Sequence, residues 1–203
     1  MIAIVDYGVG NLFSLISSFK KIGADIVVTS DPKVIKSADR IILPGVGAFE
    51  DAARKLRDSG LDKVIISEVQ NGKKLMGICL GMQMLFEKSY EYGEHKGLGL
   101  LKGSIVPMKD TIPAELKIPH FGWNGMHFTR ESNLFKYIKP NNCVYFVHSF
   151  YATDCDDSVI ATAEYGKELT AAVQKDNVMG CQFHPEKSGE VGLNILRAFC
   201  EME

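Results

Sequence analysis

The stretch Met76-Gly77-Ile78-Cys79-Leu80-Gly81-Met82-Gln83 sets one cysteine between two glycines, where an apolar strand-like run from Lys74 to Ile78 meets an apolar, helix-compatible stretch. A thiol on such a strand-to-helix turn stands clear of the sheet on a strained backbone, and small neighbours permit the turn. A helix start beneath it favours the thiolate, and the amide that follows can face an oxyanion. These are the requirements of a nucleophile. A buried structural thiol is the competing reading of the same letters, because free cysteines pack as small hydrophobes.

A second cluster, Cys181-Gln182-Phe183-His184-Pro185-Glu186-Lys187-Ser188, carries a histidine and a carboxylate two residues apart. In an extended segment such positions project to one side, and Pro185 biases His184 toward that form. Taken alone, the pair also reads as a surface histidine beside a helix-capping acid. Together with Cys79 it completes a set of thiol, imidazole base and orienting acid: Cys79, His184 and Glu186. The two glycines of Pro44-Gly45-Val46-Gly47 permit a backbone that turns its amides toward a carbonyl, as an oxyanion hole needs, although an ordinary strand-to-helix turn uses the same letters. Other chemistries fail on spacing. A zinc deaminase needs Pro-Cys-x-x-Cys after its His-x-Glu, and only Cys200 follows His184. The third glycine of a dinucleotide turn after Asp6-Tyr7-Gly8-Val9-Gly10-Asn11 falls on Phe13, and no GxxxxGK[ST] phosphate loop is present.

The elements that must position these groups alternate in the first half of the chain. Ile2 to Asp6, Ile26 to Thr29, Arg40 to Leu43 and Lys74 to Ile78 read as strands, with helical patterns over Leu12 to Ile22, Ala48 to Leu56 and Leu80 to Glu87. Such alternation predicts a largely parallel sheet with helices on both faces, whose carboxyl edge gathers distant residues into one crevice. In the second half, strands over Ser104 to Met108, Met126 to Thr129, Val144 to His148, Ser158 to Glu164, Leu169 to Lys175 and Val178 to Phe183 follow one another with few helices. Antiparallel additions are expected there. Ser188 to Cys200 reads as a closing amphipathic helix.

A chain of 203 residues fits one sizeable α/β domain over residues 1–203. The balance of 23 Lys and Arg against 25 Asp and Glu, without a block of either sign, disfavours nucleic-acid or membrane surfaces. The first residues lack a basic n-region, and no run is long enough to span a bilayer. Five scattered cysteines without a CxxC pair argue against a disulfide framework or a zinc site, and suit a reducing, cytoplasmic setting. No metal and no cofactor are expected.

The glycine-flanked Cys79 with Gln83, the Phe183-His184-Pro185-Glu186 cluster and the Pro44 to Gly47 loop resemble the class I (triad) glutamine amidotransferases. Asp6 to Asn11, Ile118-Pro119-His120-Phe121-Gly122-Trp123-Asn124 and Tyr145-Phe146-Val147-His148-Ser149-Phe150 are similar to the glutaminase subunits of imidazole glycerol phosphate synthases. The match runs from the first strand to the last helix. It departs at Phe150, where tyrosine is common, and at Phe121, where methionine is expected. The resemblance implies a flavodoxin-like fold and hydrolysis of the L-glutamine side-chain amide through a γ-glutamyl thioester on Cys79. It places Gly45, Gly47, Gln83, His148, Ser149 and Phe150 around glutamine, and the amides of Val46 and Leu80 at the oxyanion. It further implies a cyclase partner with a (β/α)₈ barrel that consumes the ammonia, docked at Asn11, Trp123, Asn124, Tyr145 and Lys187. One domain of this length leaves no room for a second site that would use ammonia. A glutaminase serving another synthase of the class, or a stand-alone γ-glutamyl cysteine hydrolase, is the alternative.

Overall fold

All four first-half runs form strands of one sheet in the computed structural model, which describes residues 1–203. The first half contains β1 (Ile2–Val5), α1 (Leu12–Lys21), β2 (Ile26–Thr29), α2 (Pro32–Ser37), β3 (Arg40–Gly45), α3 (Phe49–Asp58), α4 (Leu61–Gln70), β4 (Lys74–Cys79) and a single helical turn, α5 (Leu80–Gln83). There follow β5 (Phe86–Ser89), β6 (His95–Lys96), β7 (Leu101–Pro107), β8 (His120–Gly125), β9 (His127–Phe128), β10 (Cys143–His148) and β11 (Phe150–Thr153). The chain closes with β12 (Val159–Glu164), β13 (Glu168–Lys175), β14 (Val178–Cys181) and α6 (Gly189–Glu201).

The main sheet has the order β2-β1-β3-β4-β14-β13-β12-β9. The first five strands are parallel and β13, β12 and β9 are antiparallel. This is a mixed, largely parallel α/β sheet with antiparallel strands added by the C-terminal half. Alternate side chains serve opposite faces, as the two-residue period of a strand requires. Ala3, Val5, Ile41, Leu43 and Leu75 join one core with Leu56, Leu61 and Ile65 from α3 and α4, whereas Ile2, Ile4, Ile42, Met76 and Ile78 join the other with Leu15, Phe19, Ile195 and Phe199 from α1 and α6. Two smaller units lie beside this sheet: the four strands β11-β7-β5-β6, and an antiparallel ribbon of β8 and β10. No helix is long and apolar enough to cross a membrane.

Three sequence expectations are corrected. The helix expected over Leu80 to Glu87 ends after one turn, because the amides of Leu98 and Leu100 take the carbonyls of Met84 and Leu85 at 2.8 Å and Phe86 enters β5 in register with Leu101 of β7. The strand expected over Met126 to Thr129 shrinks to the two residues of β9, paired with Thr162 and Ala161. Helices α2 and α4 were not anticipated, although Leu61, Ile65 and Val69 bury one face of α4 at four-residue spacing; its β-branched run Val64-Ile65-Ile66 masks that period.

Candidate active site

Gly45 at the end of β3 is in register with Cys79 at the end of β4, and the continuation of β14 beyond Cys181 brings His184 to the same edge. Cys79 occupies a left-handed backbone position, φ 55° and ψ −113°, which a side chain adopts only under strain. The flanking glycines make this elbow possible through close approach. A Cβ on Gly81 would lie 1.9 Å from the Leu43 carbonyl oxygen, one on Gly77 2.6 Å from the Gly81 carbonyl oxygen, and one on Gly45 2.9 Å from the Gly81 nitrogen. Cys79 is only 8% exposed, yet it lines a cleft of about 340 Å³. The two readings of the thiol are thereby reconciled: it is buried by the fold and open to one cavity.

His184 donates its Nδ1–H to Glu186 Oε1 at 2.7 Å, leaving Nε2 for the sulfur side. Glu186 reaches it from a 3₁₀ turn, Pro185–Lys187, rather than from a continuing strand as the sequence suggested; only His184 itself is extended. Burial opposes a charge on this imidazole, but hydrogen bonds to Cys79 and Glu186, and the charges of both, overcome that penalty and raise its pKa to about 10. The imidazolium is therefore the form at neutral pH. This matters because α5 is one turn long, too short for the helix dipole expected beneath the thiol to favour the thiolate by itself.

The cleft is walled by Val46, Gly47, Leu80, Gln83, His148, Ser149 and Phe150, all expected from the sequence, together with Glu91, Tyr92, Pro119 and Val147, which were not. Gly45 is buried in the strand end and does not line the cleft; its part is the close approach to Gly81. Leu80 is the first residue of α5, so its N–H has no acceptor within the helix. Tyr7, from the motif set aside as a failed dinucleotide turn, donates its hydroxyl to the Pro44 carbonyl at 2.7 Å and steadies the loop entering the cleft. Ala48 cannot cap α3 with its side chain. Glu91 does so from 42 residues away, accepting from the Phe49 amide at 2.7 Å, while burial raises its pKa against that bond.

The β8–β10 ribbon borders this site. His184 donates its backbone N–H to the Tyr145 carbonyl at 2.9 Å, and the Ser188 hydroxyl accepts from the Tyr145 amide and donates to the His184 carbonyl. Trp123 pairs across the ribbon with Tyr145, and Phe121 lies edge-on to the same ring. Lys187 holds its ammonium 5.9 Å above the Tyr145 ring. Phe121 and Trp123 on β8 are 67% and 58% exposed, and Phe13 on α1 is 80% exposed, an unusual outlay of large aromatic surface. Asn11 occupies the N-cap position of α1 without capping it, so its amide faces outward; α1 packs against the Pro185–Lys187 turn. Asn124 differs from the expectation. Its amide nitrogen turns inward to the Glu164 carbonyl at 2.7 Å and His120 Nε2 at 3.3 Å, on the opposite face of β8 from Trp123.

Comparison with known proteins matches the model "Glutamine amidotransferase class-I" to residues 3–202. Proteins named imidazole glycerol phosphate synthase subunit HisH are similar along the full length. Those of Sulfurimonas denitrificans (52% identity, 98% of this chain and 97% of the relative) and Caldanaerobacter subterraneus (49%, 100% and 98%) are examples. The fold is shared with a crystal structure of a glutamine amidotransferase (TM-score 0.77, 18% identity, 99% and 98% covered) and with PurLQS from Thermotoga maritima (TM-score 0.71, 22%, 98% and 96%).

Proposed function

The chain belongs to the class I glutamine amidotransferases, and within them to the glutaminase subunits of imidazole glycerol phosphate synthase; from that membership we propose which of its residues make ammonia and which meet the partner. The observation that carries the assignment is Cys79 on its strained elbow in one cleft with a His184 held by Glu186. Cys79 attacks the glutamine carboxamide carbon as a thiolate, and the carbonyl electrons move to an oxyanion held by the Leu80 and Val46 amides. Collapse of that intermediate breaks the C–N bond as His184 gives its Nε2 proton to the departing ammonia, leaving a γ-glutamyl thioester. Water then yields a proton to the neutral His184 and attacks the thioester, releasing glutamate and restoring the ion pair.

Glutamine is gripped at two ends. Glu91, the single acidic side chain on the cleft wall, receives the α-ammonium, and Gln83 with the segment from His148 to Phe150 receives the rest. Residues 1–203 act as one domain. The ammonia passes to a cyclase subunit, a (β/α)₈ barrel seated on Asn11, Phe13, Phe121, Trp123, Tyr145 and Lys187. Asn124 supports that face from beneath. The backbone bond between Tyr145 and His184 makes the docking ribbon an immediate neighbour of the base, so docking and hydrolysis are coupled.

Glutamate release measured with and without the cyclase subunit tests this reading. Low release from the isolated chain and strong stimulation by the partner are expected, with Trp123→Ala losing most of the stimulation while its melting temperature stays within a few degrees of wild type, because Trp123 is an exposed side chain. Full activity of the isolated chain would contradict it.

A further inference from the structure

Beyond the triad, the molecule buries a line of amides and imidazoles whose orientations are all dictated by two backbone carbonyls. A carbonyl only accepts. The Phe150 carbonyl therefore needs a proton on His148 Nδ1, 2.9 Å away, and an N–H from Gln83 Nε2, 3.1 Å away. Each requirement settles the next group. With its proton on Nδ1, neutral His148 offers a bare Nε2, which accepts at 3.1 Å from His120 Nδ1. His120 is left with a bare Nε2 toward the Asn124 amide nitrogen, whose other hydrogen goes to the Glu164 carbonyl. In the opposite direction, Gln83 Nε2 donates to Gln182 Oε1 at 3.0 Å. That commitment turns the Gln182 amide nitrogen onto Cys79 Sγ at 3.9 Å.

Gln182 is completely buried, and a buried amide without a task is costly. Burial also keeps both imidazoles neutral, as the tautomer pattern needs: it lowers His120 to about 4 and His148 to about 3. His120 is clamped between the rings of Phe146 and Tyr165, at 4.7 and 4.2 Å, so its plane cannot turn freely.

We propose that Gln182 is a further catalytic residue, whose amide N–H holds the Cys79 sulfur as a thiolate, and that the Phe150 carbonyl, acting through Gln83, keeps that amide pointing nitrogen-first. Gln83 is the positioning residue in this scheme; His148, His120 and Asn124 are ordered by the same carbonyl on its other side. This scheme replaces the helix dipole that a one-turn α5 cannot provide. It rests on the reading of Cys79 as the nucleophile. The titratable groups coupled to the sulfur are Tyr7 from the end of β1 and His184, backed by Glu186, from the end of β14.

The test is the pH profile of Cys79 alkylation by iodoacetamide, followed by peptide mass spectrometry, with the exposed Cys143 as internal reference. Gln182→Met removes the donor at similar volume. It is expected to slow Cys79 alkylation at neutral pH roughly tenfold, about what one hydrogen bond to a charged group contributes, and to move the midpoint upward without changing Cys143. Gln83→Met removes the N–H that Gln182 Oε1 accepts, and is expected to shift the profile in the same direction. The double variant should be no slower than Gln182→Met alone. A Gln182→Met profile that overlies wild type would overturn the proposal, and so would additive losses in the double variant. Should Gln182→Met not fold, Gln83→Met decides by itself, and an unchanged profile overturns the proposal. A wild-type Cys79 that alkylates like Cys143 at every pH would instead remove the nucleophile assignment, a separate failure.

Discussion

Glu186 orients His184 and, together with Cys79, raises its charge, so its carboxylate is the residue-scale pivot of the proposed chemistry. Glu186→Gln keeps the shape but removes the charge that helps raise the imidazole. The His184 midpoint, read by NMR of the ring, should fall below its wild-type value of about 10, and glutamine turnover should drop on the order of a thousandfold. An unmoved midpoint would contradict that role. His120 and His148 predict the opposite behaviour. Both are held neutral at about 4 and about 3, whereas in the unfolded chain they titrate near 6.5, so the unfolded state binds more protons as pH falls from 6.5. Folding stability is therefore lost over that interval. Urea unfolding at pH 7 and pH 5 should show a smaller loss for His120→Phe than for wild type. At this scale the residues proposed as nucleophile, base and acid stand out in the sequence, since each sits in a distinctive local spelling. Tyr7, Glu91, His120 and Gln182 stayed silent, because their tasks arise from bonds to residues 37, 42, 28 and 103 positions away.

At the scale of elements, the elbow is made by interpenetration of β3, β4 and α5. The Gly81 backbone lies directly against the Leu43–Pro44 backbone of β3. Gly81→Ala puts a methyl group into the Leu43 carbonyl, which is backbone and cannot swing aside. A loss of about 3 kcal/mol in urea unfolding is expected. A variant as stable as wild type would show that the glycine is not needed for the approach. The small residues around Cys79 announced this turn in the sequence. The length of α5 was not announced, because Leu80 to Glu87 is equally apolar in both roles and the choice is made by β7 and the Leu98–Leu100 amides, which capture the chain after one turn. The ribbon of β8 and β10 was half visible. Val144 to His148 reads as a strand, but in its partner β8 the two glycines and Asn124 dilute the strand signal of Phe121 and Trp123.

On the scale of the whole molecule, parallel strands carry the proposed catalytic residues to one edge, and the antiparallel ribbon carries exposed aromatic rings beside it. The parallel half was legible from its alternating apolar runs. The exposed face was legible only through family resemblance, since an isolated Phe13 or Trp123 in a sequence does not say whether it will be buried. The account's central claim is that Cys79 makes ammonia that a different chain consumes. The most direct measurement is synthesis of imidazole glycerol phosphate by the reconstituted pair carrying Cys79→Ala, driven in turn by glutamine and by an ammonium salt. Loss of the glutamine-driven reaction with the ammonium-driven reaction intact is predicted; loss of both, or retention of the glutamine-driven reaction, would contradict the account.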